Sequence, residues 1–329
     1  MNRKNVVILY GGSEESEISA ISADFLKYQL QKIEESLGAI NTQLININNY
    51  QHLSNLVDFL ANKFNQNQTY IIPCIHGHPG ESGVIPLYLQ ERGFKYLGCD
   101  HHASTICFNK ITTKLWCQKM DVPVTPFIIV SKSSYNTNPE ELFKFFDTHN
   151  SDIFIKTPEQ GSSIGCYNVT QKEDLESSLF KTFKYDSVSL IEKKIKAREI
   201  EISAFTYKDQ LIISEPGEII TNGDFYDFDK KYSSTSPIKT VTNASLKQIT
   251  KNRIKVYCER IFRQLGLKDL SRIDFFVDET DEIIFLNEVN TFPGMTPISM
   301  FPKMMEATGI SFQDYLLDKL KLGDVNEKN

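Results

Sequence analysis

The sequence predicts a mixed chain, α/β and then α+β, with a doubly wound parallel sheet at its N-terminus followed by a module in two parts. Strand and helix signals alternate through the first third of the chain. Short apolar strands separated by small-residue turns follow in the middle. Near the C-terminus two strand-like runs flank a polar turn and carry a concentrated set of acids and amides. At 329 residues the chain exceeds a typical single domain. The expected units are residues 1–109, 110–193 and 194–329.

In the first unit, Val6-Val7-Ile8-Leu9-Tyr10 is a buried-strand run and Gly11-Gly12-Ser13 a tight turn. Residues 19–37 read as a helix, 43–47 as a strand, 53–64 as a helix and 70–75 as a third strand. Ligands of a parallel sheet of this kind sit beyond the C-terminal strand ends, where two loops fall, 11–17 and 76–83. The second unit opens with a helix over 111–120, punctuated by Pro123 and Pro126, and strand character resumes at 127–130. A short strand at 153–157, the loop Gln160-Gly161-Ser162-Ser163-Ile164-Gly165 and a strand at 166–169 predict a hairpin with a flexible lid. Strands at 188–192 and 199–205 flank the basic stretch Lys193-Lys194-Ile195-Lys196-Ala197-Arg198. The third unit holds a polar, tyrosine-bearing loop over 221–237, a helix over 246–265, a hairpin and a last helix over 312–322. The tail 323–329 is expected to be disordered.

Composition narrows the function. An apolar share of 40% and a charged share of 24% describe an ordinary soluble protein. A net charge of −6 and a pI near 5.6 argue against nucleic acid as the main partner. Six cysteines without a CxxC pair or a Cys/His zinc spacing read as free cytosolic thiols. No apolar run approaches membrane-spanning length and residues 6–10 are too few for a signal segment. The expected compartment is the cytoplasm, with no membrane partner.

The C-terminal hairpin is the most informative segment. Ile273, Phe275 and Val277 alternate with Arg272, Asp274 and Phe276, and Ile283-Ile284-Phe285-Leu286 is continuously apolar. A turn centred on Thr280 sets Arg272 opposite Glu288 and places Arg272, Asp274, Glu288 and Asn290 on one face. Oxygen ligands beside a fixed cation suit hard divalent ions that hold phosphates. This shared face requires a turn with an odd number of residues; otherwise the parity breaks, and a polar sheet face with a surface ion pair is the alternative.

Further groups point to anion chemistry. No Walker A sequence exists, yet the glycines and hydroxyls of residues 161–165 suit either a phosphate loop or a simple hairpin tip. Lys156 sits in a mostly apolar strand, where a lysine calls for an anionic partner. Residues 223–232 fit equally a solvated loop and a lid in which Lys231 meets a phosphate and Tyr232 a hydrogen-bonding group. His76 and His78 lack further His or Cys nearby, so His76 reads as a substrate contact rather than a zinc ligand. The acids Glu14, Glu15 and Glu17 suit both a helix N-terminus and a clamp for an amine.

Together these segments resemble the D-alanine–D-alanine ligase family of ATP-grasp enzymes, from Val6 to about Leu320. The strongest likeness is Arg272-Ile273-Asp274 with Asn287 through Ser299, followed by Lys156 with residues 161–165, and by residues 225–232. The resemblance implies an ATP-grasp module after the parallel sheet, and ATP and D-alanine as substrates. The carboxylate of one D-alanine is phosphorylated and the amine of a second attacks it, supplying a peptidoglycan precursor. It implies that Asp274, Glu288 and Asn290 hold two Mg²⁺ ions, with Mn²⁺ as an alternative. Lys110, Lys156 and Lys231 match phosphate-contacting lysines, with Ser162 and Ser163 in the phosphate loop. Glu192, Lys193 and Ile195 match the adenine hinge and Glu199 the ribose acid. Arg272 and the Gly294 N–H match an oxyanion hole. Glu15, Ser162 and Tyr232 match the trio that positions the first amino acid, His76 assists there, and Ser299 matches the group that binds the second carboxylate. The family also implies a homodimer. The chain departs from the family pattern in the shortened Ser13-Glu14 spacing before Glu15, in Gly80-Glu81-Ser82-Gly83, in Asn109 before Lys110 and in Ala197-Arg198. These departures gather in the half that receives the first amino acid. They keep open a related ligase with another amino-acid substrate, and a non-catalytic nucleotide-binding relative.

Overall fold

The structure is a computed structural model that describes residues 3–12, 15–220 and 239–322. Its N-terminal sheet is fully parallel. Strands β1 (Lys4–Tyr10), β2 (Ile40–Asn46), β3 (Thr69–Pro73) and β4 (Lys95–Tyr96) lie in the order β2-β1-β3-β4. Alternation of apolar side chains along β1 sends Val6 and Ile8 to one face and Val7 and Leu9 to the other. Helix α1 (Ser16–Leu37) covers the first face with Ala23, Leu26, Leu30 and Ile33. Helices α2 (Leu53–Lys63) and α3 (Val84–Glu91) cover the second with Leu56, Leu60, Ile85 and Leu89. Helices on both faces make the sheet doubly wound, as predicted. Helix α1 begins before residue 19, because Ser16 and Glu17 are polar and leave no apolar periodicity to read. It ends where Gly38 takes the left-handed conformation (φ 59°) and donates its N–H to Glu34 O. Likewise β2 begins at Ile40, since the polar Asn41 and Thr42 hide its start.

Two antiparallel sheets follow. Strands β5 (Phe127–Ser131), β6 (Ile153–Lys156), β7 (Cys166–Val169) and β8 (Val188–Lys193) form a sheet in the order β5-β8-β6-β7. The hairpin expected around residues 157–165 is β6–β7, with Lys156 paired to Cys166. The last sheet runs β12 (Lys239–Val241), β11 (Gly217–Ile220), β9 (Ala197–Tyr207), β13 (Leu270–Asp278), β14 (Ile284–Asn290), with β10 (Gln210–Ile213) also on β9. One face is covered by the helix Gln248–Gln264 together with α4 (His101–Phe108) and α5 (Lys110–Lys119). The predicted tail 323–329 and the whole of the predicted loop 221–237 lie outside the described residues. All six cysteine thiols are free. No helix among the described residues is long and apolar enough to cross a membrane.

One apolar cluster ties the first sheet to the last. It joins Ile8, Leu26 and Ile72 to Phe205, Leu270, Phe292, Phe301, Phe312 and Tyr315. This packing brings the loop after β3 against the turn after β14. At the base of that loop a Cβ on Gly80 would stand 2.1 Å from the Ile75 carbonyl oxygen, a backbone atom that cannot rotate away. Gly80→Ala is therefore expected to lower stability by about 1–3 kcal/mol, read from urea unfolding.

Candidate active site

The C-terminal hairpin forms, but in a different register from the expected one. Val277 pairs with Ile284 and Phe275 with Leu286, and residues 279–282 make the turn. That even-numbered turn pairs odd residues with even ones, which is the condition that breaks the expected face. A β-bulge then absorbs Asn287 as an extra residue, and beyond it even residues face even ones again. Asp274 faces Glu288, and Arg272 stands opposite Asn290 instead of Glu288. The face survives because two departures cancel.

Arg272 donates from Nε and Nη2 to the two carboxylate oxygens of Asp274, at 2.8 and 2.7 Å. Asn290 Nδ2 donates to Asp274 Oδ2 at 3.0 Å, which leaves the amide oxygen as its acceptor atom. On the other side of β13, strand β9 places Glu201 opposite Asp274, with Oε1 3.4 Å from Arg272 Nε. Burial works against the guanidinium, but Asp274 and Glu201 outweigh it and hold its pKa well above the usual value. Among the described residues no cluster of three His, Cys, Asp or Glu encloses a metal by itself. Glu288 and Asn290 line the cavity and the Asp274 carboxylate lies buried beside them against Arg272; such oxygen donors fit Mg²⁺, which keeps waters and phosphate oxygens in its shell.

A cavity of about 460 Å³ lies on the side of β6–β8. Lys110, Lys156, the loop 160–164, Glu192 to Glu199, Asn287 and Glu288 line it. The anionic partner that Lys156 requires is Glu192, whose Oε2 lies 2.7 Å from Nζ. The same carboxylate meets Lys114 Nζ at 2.5 Å and accepts a hydrogen bond from Thr125. Burial raises the Glu192 pKa, but Lys114 and Lys156 overcome it and hold the group ionised. Lys110 donates to Gln160 O at 2.5 Å, so the second lysine braces the loop. Ser162 and Ser163 both take left-handed backbone (φ 50° and 61°). That conformation costs roughly 1–2 kcal/mol per non-glycine residue. Ser162 Oγ donates to Glu15 Oε1, and the N–H of Cys166 to Ser163 O at 3.2 Å, contacts that hold the loop in place.

A second cavity of about 360 Å³ adjoins the first, lined by Glu15, His76, Glu81, Glu201, Arg272, Asn290, Gly294, Ser299 and Lys303 among others. Lys110, Gln160, Gly161, Ser162 and Glu288 line both, so they form the wall between them. The turn after β14 is held here by the N-terminal unit. His76 Nδ1 lies 3.2 Å from Phe292 O, and Phe292 N donates toward Glu81 Oε1 at 3.5 Å. Met295 N donates to Ser22 Oγ at 3.3 Å, and that hydroxyl lies 3.3 Å from His76 Nε2. Burial lowers the His76 pKa in spite of Glu15. A neutral ring donating from Nδ1 and accepting from Ser22 satisfies every atom of this chain. Between the held residues, Pro293 has no N–H, and Gly294 lines the cavity. A Cβ on Gly294 would come 3.0 Å from Ser299 Oγ. That oxygen caps the following turn by accepting from Thr296 N at 3.1 Å.

The fold thus gathers Glu15, His76, Lys110, Lys156, Ser162, Ser163, Glu192, Lys193, Ile195, Glu199, Arg272, Glu288, Asn290, Gly294 and Ser299 around two adjoining cavities, with Asp274 against Arg272. Lys231 and Tyr232 lie outside the described residues. Sequence reasoning did not single out Glu201, Glu81, Ser22 or Lys114. Glu201 shares the inward parity of Glu199 on one strand, and Lys114 follows Lys110 by one helical turn, so weak signals existed for both. Ser22 carried none, because a serine on an amphipathic helix is commonplace.

Residues 116–320 match the family model described as D-ala D-ala ligase C-terminus. The chain is 40% identical to the D-alanine–D-alanine ligase of Vibrio campbellii over 330 residues, 96% of this chain and 98% of the relative. It is 41% identical to that of Tolumonas auensis over 327 residues, 96% of this chain and 97% of the relative. The crystal structure of D-alanyl-alanine synthetase A from Vibrio cholerae superposes with a TM-score of 0.86 at 36% identity, covering 99% of this chain and 100% of that one. A D-Ala:D-Ser ligase from Enterococcus faecalis shares the fold, with a TM-score of 0.79 at 24% identity over 98% of this chain and 99% of that one.

The half-buried Glu81 yields a pH test. Burial, with Glu15 and Glu288 nearby, pushes its pKa up to about 8 against the N–H groups of Gly77 and Phe292. The folded protein holds this proton more tightly than the unfolded chain, so stability falls as pH rises from about 4.5 towards 8. Glu81→Gln should remove that portion of the fall, measured as the difference between wild-type and variant unfolding free energies from pH 5 to 8.

Proposed function

The chain belongs to the D-alanine–D-alanine ligase family, and we propose that it couples ATP hydrolysis to the joining of two D-alanine molecules. The observation that carries this reading is the wall shared by the two cavities. A nucleotide held against Lys156, the 161–165 loop and the 192–199 segment delivers its terminal phosphate past Lys110 and Glu288. An amino-acid carboxylate bound near Glu15 and Arg272 receives it. A carboxylate is a poor electrophile, so transfer of the phosphoryl group supplies a leaving group and releases ADP.

The residues then divide the work. Glu15, fixed by Ser162, takes the ammonium of the first amino acid, with Tyr232 assigned to the same group by family likeness and His76 holding the turn beside it. Lys110, Lys156 and Lys231 take phosphate charge, and Ser163 contributes its loop. Glu192, Lys193 and Ile195 border the adenine, and Glu199 suits the ribose. The amine of the second D-alanine, its carboxylate near Ser299, attacks the carbonyl carbon of the acyl phosphate. The oxyanion that forms meets Arg272 and the Gly294 N–H, and collapse expels phosphate and leaves the peptide bond. Asp274, Glu288 and Asn290 are the residues that would hold two Mg²⁺ ions, or Mn²⁺ in their place, which would supply neutralisation of phosphate charge. The family supports a homodimer in the cytoplasm that supplies peptidoglycan precursors.

The test is ATP-dependent phosphate release across D- and L-amino acids, with products identified by mass. Release with D-alanine giving its dipeptide supports the reading, and activity only with other acceptors sinks it. Asp274→Ala and Glu288→Ala should each abolish release while circular dichroism stays native. Arg272→Lys keeps the charge beside Glu201 but loses the fork, and should lower kcat by about 10²-fold or more.

A further inference from the structure

Glu192 is a single buried carboxylate between the buried ammonium of Lys114 and the half-buried ammonium of Lys156. Its Oε1 meets Lys114 Nζ at 2.5 Å and its Oε2 meets Lys156 Nζ at 2.7 Å. Thr125 closes the inner side, accepting from Lys114 Nζ at 3.1 Å and donating to Glu192 Oε1. Lys114 is 1% exposed and Glu192 3%. Thr125, Lys156 and Glu192 line the nucleotide-side cavity, while Lys114 stands behind them.

One lysine would neutralise one carboxylate, so the second needs a reason. Burying an ammonium without full compensation is costly. With both lysines charged, the three groups Lys114, Glu192 and Lys156 carry a net charge of +1 at the cavity wall. Lys114 also holds Glu192 from behind, which leaves only one carboxylate oxygen for Lys156. We propose that Lys114 is a positioning residue of the nucleotide cleft: by occupying half of Glu192 it keeps the Lys156 ammonium placed and only partly neutralised, ready for an anionic phosphate. Without Lys114, Glu192 cancels Lys156 and competes with the phosphate for it. This rests on the nucleotide-binding reading of that cavity.

The test is nucleotide affinity by calorimetry, with ADP and with a non-hydrolysable ATP analogue, on the full chain. Lys114→Met should weaken binding about tenfold, the scale of one screened unit charge at short range. The KM for D-alanine should stay unchanged. Lys114→Met combined with Glu192→Gln restores one net positive charge at Lys156 and should recover most of the lost affinity. A role confined to packing predicts the opposite, since the double variant removes two buried partners. Lys114→Met binding as tightly as wild type overturns the proposal, and so does a double variant no tighter than the single one. Should Lys114→Met fail to fold, Thr125→Val tests the same link: about threefold weaker binding supports it and unchanged binding overturns it. Wild-type protein that binds no nucleotide would sink the functional reading instead.

Discussion

The site depends on the apolar contact between the first sheet and the last. Ile8, Leu26 and Ile72 share one dry cluster with Phe205, Phe292, Phe301 and Tyr315. Burial of large aromatic and aliphatic groups is the strongest non-directional force available to join two units. Once they are joined, the loop after β3 lies against the turn after β14. His76, Glu81 and Ser22 can then hold that turn by its backbone. The hydrogen bonds are individually weak, but the apolar cluster makes them possible and they set direction. Gly294 lines the cavity as a consequence of how its neighbours are held.

Charge in the site follows a second constraint: a buried charge needs a partner with fixed geometry. Arg272 is forked onto Asp274 and flanked by Glu201, while Glu192 is divided between Lys114 and Lys156. Arg272, Asp274, Glu201, Glu192 and Lys156 sit on sheet strands and Lys114 on helix α5, so the members are placed with the precision of regular elements rather than that of a loop. Preorganised charges of this kind act on a reaction without reorganising during it. The loop 160–165 is the exception, and it is held instead by two left-handed serines and by Ser162 reaching Glu15.

Much of the architecture was legible because it rests on periodicity. A continuous apolar run marked β1, short apolar stretches marked β6 and β7, alternation of period two marked β13, and helical spacing marked α2 and the helix Gln248–Gln264. Errors fell at ends where polar residues join an element for reasons of backbone pairing or capping, as at Ser16 and Ile40. The hairpin is more instructive. The shared face of Arg272, Asp274, Glu288 and Asn290 was inferred from an odd turn, whereas the chain uses an even turn and a bulge at Asn287. Bulges leave little mark on apolar alternation, so that register was not readable. Lys114 and Ser22 escaped notice for a related reason: each acts through a partner far away in sequence.

By itself the sequence determined the chemistry on offer. It supplied the acids and amides of the hairpin, the lysines and hydroxyls of the phosphate side, and a doubly wound sheet with loops at its ligand-binding edge. Those are local properties, carried by side-chain type and by spacing within one element. Tertiary structure decided which of them share a wall, which carboxylate is divided between two lysines, and which backbone groups of the turn after β14 are held by the N-terminal unit. Such matters depend on contacts between residues as distant as Ser22 and Met295, or Glu15 and Ser162. Closing those distances takes the packed core that joins the units, and no short-range pattern encodes it.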